Sequence, residues 1–173
     1  MINIDQALTI DGWMSPQELR WLARQAEKHQ CIAEVGSYLG RSTRALAEHT
    51  PGVVYAIDDW YGPRDVDWLK PEDRELCFKK FLMNMRGLET KIRIVNTNHA
   101  LASISKTPDM VFIDGDHEYE SVVWDIQRWL PRVAKGGLIC GHDSNHLGVI
   151  KALREVFGIY KVEPDTTIWY KEL

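Results

Sequence analysis

The chain is poor in cysteine, in basic runs and in long apolar stretches, and each shortage excludes a class of protein. Its three cysteines, Cys31, Cys77 and Cys140, are widely spaced and form no C-x-x-C pair. This argues against a disulfide framework or a thiolate zinc site and favours a reducing compartment. No apolar run approaches the roughly 20 residues that span a bilayer, and the N-terminus lacks the basic and apolar regions of a signal peptide. We therefore expect a cytoplasmic protein with no membrane partner.

Charge and length narrow the possibilities further. The net charge is −4 with no long basic run, so the electrostatic footprint of a nucleic-acid-binding protein is missing. A chain of 173 residues, 45% hydrophobic and 27% charged, suits one globular domain with a full core. We expect a single domain over 1–173, with a helical lead-in over 1–30.

Hydrophobic periodicity and the capping signals of helices predict strands that alternate with helices. The capping box Ser15-Pro16-Gln17-Glu18 starts a helix near Pro16. Strands are predicted at 31–35, 53–58, 92–95, 110–113, 138–141, 159–163 and 166–171. Further helices are predicted at 41–49, 73–86, 117–130 and 147–157. This alternation predicts an α/β fold, with a mostly parallel central sheet and helices on both faces. The polar stretch 61–72 fits either a lid over a ligand or a solvated connection.

The most informative segment joins two predicted strands through a glycine turn. Strand 31–35 leads into Gly36-x-x-x-Gly40, a helix follows, and the next strand ends at Asp58. This layout is typical of a βαβ unit that binds a nucleoside, with glycine where the backbone meets the ligand and an acid that accepts hydrogen bonds from the ribose. The spacing differs from G-x-G-x-x-G, which disfavours a dinucleotide. A tight strand-to-helix turn without a ligand is the alternative.

The string EVGSYLGRS, residues 34–42, resembles the first motif of class I S-adenosylmethionine-dependent methyltransferases, particularly the catechol and caffeoyl-CoA O-methyltransferase branch. The resemblance implies a Rossmann-like fold that ends in an antiparallel hairpin, and S-adenosylmethionine as the cofactor. By this resemblance four residues line the cofactor loop: Glu34, Gly36, Ser37 and Gly40. It also places Asp58 on the ribose, and Asn98 and His99 where relatives bind the adenine amino group. A simple turn would equally explain Asn98.

Two further predicted strands each end in potential metal ligands. Strand 110–113 is followed by Asp114, and strand 138–141 is followed by His142 and Asp143. Since ligands bind beyond the carboxyl ends of parallel strands, we expect these side chains at one edge, with the glycine loop. Two carboxylates, with further coordination positions left open, suit Mg²⁺ or Mn²⁺. The histidine makes Mn²⁺, Fe²⁺ or Zn²⁺ more plausible than in a site whose ligands are all oxygen atoms.

The family resemblance extends to this edge. Metal-dependent O-methyltransferases, including the macrocin and mycinamicin sugar O-methyltransferases, hold a cation with an acid after the fourth strand and a pair after the fifth. Asp114 and Asp143 match this pattern. His142 matches by position only, because the pair is Asp-Asn in the catechol branch and acidic in the sugar branch. Relatives carry the catalytic base three residues after the first acid, where this chain has His117.

Each of these residues also has a structural interpretation. An aspartate at Asp114, Asp116 or Asp143 can cap the helix that follows it. His117 can be a surface histidine near a helix terminus, and His142 can bond to loop backbone.

Together these features predict a divalent-metal-assisted O-methyltransferase of the EC 2.1.1 type that acts on a small hydroxylated acceptor, such as a sugar or a catechol-like molecule. The alternative is a methyltransferase scaffold repurposed as a hydroxylase-like enzyme or as a non-catalytic binding protein, because a fold does not fix a function.

Overall fold

The computed structural model describes residues 2–60, 71–98 and 102–173, with the backbone alone for 71–74. Its helices are α1 (Asp5–Leu8), α2 (Pro16–Ala26), α3 (Arg41–His49), α4 (Pro71–Asn84), α5 (Tyr119–Trp129), which runs into a 3₁₀ turn at Leu130–Arg132, and α6 (Leu147–Phe157). Its strands are β1 (Cys31–Val35), β2 (Val53–Asp58), β3 (Ile92–Asn96), β4 (Met110–Ile113), β5 (Leu138–Gly141), β6 (Lys161–Val162) and β7 (Trp169–Glu172). His99 and most of the polar stretch 61–72 lie outside the described residues.

The strands form one twisted layer in the order β3-β2-β1-β4-β5-β7-β6 across the described ranges. Strands β1 to β5 are parallel, whereas β7 runs antiparallel to both β5 and β6. The mostly parallel sheet and the closing antiparallel hairpin are therefore confirmed. The strand order reverses direction between β1 and β4, and in such sheets ligands bind in the crevice beyond the carboxyl ends of the strands at this point.

Each face of the sheet carries its own buried core. Along β1, Ile32 belongs to the core beneath α2, α3 and α4, whereas its neighbour Ala33 belongs to the core beneath α5 and α6. Both residues are fully buried, as expected for parallel strands covered on both faces. Cys31, Cys77 and Cys140 form no disulfide and are buried, as is common for cysteines that pack as small hydrophobes.

The structure departs from the predicted elements mainly at their ends. Helix α1 was not predicted, because a four-residue helix is too short to show a periodic apolar pattern. Helix α5 begins at Tyr119 rather than at 117, because Glu118 adopts an extended N-cap conformation. Strand β6 is shorter than the predicted 159–163. No helix among the described residues is long and apolar enough to cross a membrane.

Candidate functional site

The glycine loop after β1 lies directly against the end of β4. Gly36 donates its N–H to the carbonyl of Ile57 at the end of β2 (2.9 Å) and has a φ of +88°. A Cβ placed on Gly36 would come within 2.1 Å of the carbonyl oxygen of Asp114. Position 36 therefore requires glycine for two reasons: its backbone has a positive φ, and the loops after β1 and β4 approach each other too closely for a Cβ.

Asp58 fixes the conformation of this loop through its carboxylate. Oδ2 accepts hydrogen bonds from the backbone N–H groups of Ser37 and Tyr38, both at 2.8 Å, and Oδ1 accepts one from Trp60 (2.6 Å). Burial raises the pKa of Asp58 above its ordinary value, although these N–H groups oppose the shift. The predicted ribose acid thus also holds together the loops that follow β1 and β2.

Tyr38 and Trp60 lock the two loops together. Both have a left-handed backbone, with φ of 43° and 54°, and the indole N–H of Trp60 donates to the carbonyl of Tyr38 (2.7 Å). Trp60 is buried and packs against Phe78 and Phe81. Non-glycine residues in this conformation persist only where surrounding contacts enforce them, often at functional sites.

Glu34 ties the same loop to helix α3 from inside the protein. Its Oε2 accepts hydrogen bonds from the hydroxyls of Ser37 (2.8 Å) and Thr43. Oε1 is buried and has no hydrogen-bond partner among the described residues. Burial raises the pKa of Glu34 to about 7, although the neighbouring hydroxyls oppose the shift.

Replacing Glu34 with glutamine is expected to change how stability depends on pH. The pKa of Glu34 rises from its ordinary 4.5 to about 7 on folding, so the native state binds the proton more tightly than the unfolded state. The free energy of unfolding therefore falls as pH rises between these two values. Each pKa unit corresponds to about 1.36 kcal/mol. Between pH 4 and pH 8 the free energy of unfolding of the wild type should therefore fall by about 3 kcal/mol relative to that of Glu34→Gln. Denaturant titrations across this range measure the difference, and parallel curves would contradict it.

The potential metal ligands meet at the carboxyl edge beside this loop. Ile113 of β4 pairs with Gly141 of β5, so the residues that follow them, Asp114 and His142, stand side by side. The Nδ1 atom of His142 lies 3.5 Å from Oδ1 of Asp114 and 3.1 Å from Oδ1 of Asp143. The three ligand atoms all lie within 4.8 Å of one another. One imidazole nitrogen and two carboxylate oxygens suit a divalent cation such as Mn²⁺ or Mg²⁺.

The electrostatics of this cluster follow from one buried imidazole among carboxylates. Burial alone would lower the pKa of His142, but its contacts with the carboxylates of Asp143 and Glu18 and the nearby charges raise it to about 11. Burial works against the ionised form of Asp143, yet its two histidine partners hold its pKa below the usual range. For Asp114, burial prevails and raises the pKa to about 7. The cluster attracts positive charge, and a metal there must displace the proton from Nδ1.

The predicted base, His117, lies in the same cluster. Its Nε2 atom is 2.8 Å from Oδ2 of Asp143, and its ring lies 5.2 Å from that of His146, the N-cap of α6. Asp143 therefore contacts both site histidines, one with each oxygen. Asp116 instead accepts hydrogen bonds from the N–H of Glu118 and the hydroxyl of Ser121, which supports its structural interpretation.

Asn98 lies two residues beyond the end of β3, at the same edge of the sheet as Asp58. This position is compatible with the predicted role at the adenine. His99, its predicted partner in that role, is outside the described residues.

Sequence reasoning missed Glu18 as part of this site. The capping box was recognised and is present, with Ser15 Oγ accepting from Glu18 and Glu18 Oε2 accepting from the N–H of Ser15. The other oxygen, Oε1, lies 3.3 Å from Nε2 of His142. No local signal could have shown this contact, because it depends on where α2 packs relative to the end of β5.

The fold and this edge define the class of protein. A sheet of this order, with a glycine loop after β1 and an acid after β2, is the Rossmann-like fold of class I S-adenosylmethionine-dependent methyltransferases. The family model described as a methyltransferase domain matches residues 33–144, and the chain belongs to that family. This confirms the suspected membership of the methyltransferase class and the S-adenosylmethionine cofactor that goes with it.

Solved structures agree with this assignment at the level of the fold. A SAM-dependent O-methyltransferase from Thermotoga maritima has a TM-score of 0.68 and 17% identity, covering 96% of this chain and 69% of its own. An SAH-bound methyltransferase from Podospora anserina, PaMTH1, has a TM-score of 0.69 and 13% identity, covering 91% and 78%. CalS11, a TDP-rhamnose 3′-O-methyltransferase, has a TM-score of 0.65 and 15% identity, covering 90% and 77%. No curated protein matches the chain.

Proposed function

We propose that the protein is a divalent-metal-assisted O-methyltransferase that transfers the methyl group of S-adenosylmethionine to a hydroxyl of a small acceptor. The observation that carries this proposal is the cluster of Asp114, His142 and Asp143, with His117 on its rim, directly beside the glycine loop. Three converging metal-ligand groups beside the cofactor loop favour a metal-assisted reaction over one that uses the cofactor alone.

The cofactor half of the site is preformed by the chain. S-adenosylmethionine supplies an electrophilic methyl group on its sulfonium. Asp58 holds the loop N–H groups of Ser37 and Tyr38 in place, and its Oδ1, with one N–H bond, can still accept from a ribose hydroxyl. Glu34 and Gly40 fix the start of α3, and Asn98, two residues beyond the neighbouring strand β3, would contact the adenine.

The acceptor half of the site would be built on Asp114, His142 and Asp143 as metal ligands. A divalent cation held by these residues would lower the pKa of the acceptor hydroxyl and orient it. His117 would take the hydroxyl proton, with its ring oriented by Oδ2 of Asp143 (2.8 Å). Orientation of the two reactants is the larger contribution, since well-placed reactants gain about 7–11 kcal/mol over a bimolecular encounter.

The experiment that tests this function is a calorimetric titration with S-adenosylhomocysteine in Mn²⁺ and again in EDTA. We expect binding in both buffers and a change in the binding heat when Mn²⁺ is present. A panel of hydroxylated acceptors that includes a nucleotide sugar and a catechol then tests turnover, since one similar structure is a TDP-rhamnose 3′-O-methyltransferase.

The possible outcomes separate the two halves of the proposal. Binding of S-adenosylhomocysteine with no effect of Mn²⁺ would retain the methyltransferase and return the cluster to a structural role. Binding of Mn²⁺ without S-adenosylhomocysteine would contradict methyl transfer and favour the repurposed scaffold. No binding of either would leave a non-catalytic protein as the better interpretation.

A further inference from the structure

We infer that Glu18, on helix α2, is a positioning residue of the metal site: its carboxylate holds the His142 ring so that Nδ1 faces Asp114 and Asp143. The inference rests on the metal-assisted function proposed above. It assigns a role to a residue that lies outside both the glycine loop and the strand ends.

The first support is the placement of the two ring nitrogens. Nε2 of His142 lies 3.3 Å from Oε1 of Glu18, within ion-pair range although long for a hydrogen bond. Nδ1, at the other side of the ring, lies 3.1 Å from Asp143 and 3.5 Å from Asp114. A half-turn of the ring would put C–H groups where both nitrogens are now, leaving the surrounding carboxylates without their cationic partner. The carboxylate of Glu18 therefore favours the one ring orientation that can ligate a metal.

The second support is the rigidity of Glu18 itself. Oε1 also accepts hydrogen bonds from the N–H and the hydroxyl of Thr167 (2.9 and 3.1 Å), and Oε2 accepts one from the N–H of Ser15 (2.8 Å). Glu18 is only 5% exposed and His142 only 8%. A carboxylate with this many fixed partners cannot rotate away, so it restrains the ring that it contacts.

The backbone of His142 is fixed as well. Its N–H donates to the carbonyl of Ile113 (3.1 Å), and its carbonyl accepts from the indole of Trp169 (3.1 Å). With the backbone held, side-chain rotation is the freedom that Glu18 removes. A carboxylate behind a metal-binding histidine sets the ring orientation and raises the basicity of the ligand, and its loss typically costs about 10–100-fold in metal affinity.

A purely structural role for Glu18 makes a different prediction. The capping box uses Oε2 and the backbone N–H of Glu18, whereas the contact to His142 uses Oε1. Ser15→Ala therefore removes one half of the cap and leaves the Glu18–His142 contact in place. Glu18→Gln keeps the length of the side chain and an oxygen for the cap, and removes the negative charge that faces Nε2.

The test is a calorimetric titration of the whole chain with Mn²⁺ alone, at constant pH and without cofactor. We expect Glu18→Gln to bind Mn²⁺ about 10–100-fold more weakly than the wild type. Ser15→Ala should bind Mn²⁺ like the wild type, although its thermal stability falls. Affinity for S-adenosylhomocysteine in EDTA should be unchanged in both variants, since the side-chain contacts of Ser15 and Glu18 go to each other, to Thr167 and to His142 rather than to the glycine loop.

Three results would overturn the inference, and they are distinguishable. If the wild type binds no Mn²⁺, the proposed metal-assisted function fails and Glu18 has no ligand to position. If the wild type and Glu18→Gln bind equally, the metal site stands and Glu18 is only a cap. If both variants lose the same affinity, stability rather than ring orientation is responsible. Should Glu18→Gln not fold, Glu18→Asp keeps the negative charge but shortens the side chain that brings it to Nε2 of His142, and unchanged Mn²⁺ affinity there would equally overturn the inference.

Discussion

Gly36→Ala is expected to lower the free energy of unfolding by about 2–5 kcal/mol and to abolish cofactor binding. A residue with a Cβ at φ +88° costs about 1–2 kcal/mol. The added Cβ would also lie 2.1 Å from the carbonyl oxygen of Asp114 and 2.8 Å from Cα of Gly115, and overpacking of this kind costs about 1–3 kcal/mol. Because the contacted atoms are backbone, no side-chain rotation relieves the clash, and the loops after β1 and β4 must separate.

Gly87→Ala is the matched control for this variant. Gly87 has a φ of +84°, and a Cβ placed there meets nothing within 4 Å. It precedes β3, at the edge of the sheet opposite the site. Denaturant unfolding and titration with S-adenosylhomocysteine should show a loss of about 1–2 kcal/mol and unchanged cofactor affinity. Equal effects in the two variants would contradict the close approach at Gly36.

The second large effect is expected for Asp143→Ala, which should remove metal-dependent turnover while cofactor binding in EDTA persists. Asp143 contacts Nδ1 of His142 (3.1 Å) and Nε2 of His117 (2.8 Å), so its loss removes a proposed metal ligand and the group that would orient the proposed base. We expect turnover with the best acceptor to fall at least about a hundredfold, or about 3 kcal/mol of transition-state stabilisation.

Asp165→Ala controls for the backbone of this variant. Both aspartates have a left-handed backbone conformation, with φ of 61° for Asp143 and 58° for Asp165. Alanine therefore carries a similar conformational cost at each position. Asp165 is exposed between β6 and β7 and is not one of the three residues of the metal-ligand cluster. Turnover and Mn²⁺ affinity should be unchanged in Asp165→Ala. Retained metal dependence in Asp143→Ala would mean that the ligand set is misassigned.

The parts of the fold that the sequence predicted correctly are those with local signals. The capping box at Ser15 and the apolar runs of β1, β2, β4 and β5 each depend on neighbouring residues. The strand order could not be read from periodicity, because every buried strand shows a similar apolar run. The family resemblance, rather than the pattern, implied the closing hairpin.

The candidate site also has features that the sequence could predict and features that it could not. Asp114 and His142 could be expected side by side, because parallel neighbours end at one edge, and the pairing of Ile113 with Gly141 bears this out. The contacts that organise these residues could not be expected. The carboxylate of Asp58 bonds three backbone N–H groups and Glu18 reaches Thr167, 149 positions away, and both depend on tertiary packing that no short motif encodes.

The long reach of Glu18 has a consequence for the order in which the protein acquires its parts during folding. The glycine loop and its supporting acid lie within one continuous stretch, 34–58, so their contacts close short loops at low entropic cost. The other cluster needs α2, the ends of β4 and β5, and Thr167 near the end of the chain. Contacts of such high sequence separation form late. The contacts that shape the glycine loop should therefore form early, whereas His142 is aligned only when the last hairpin closes.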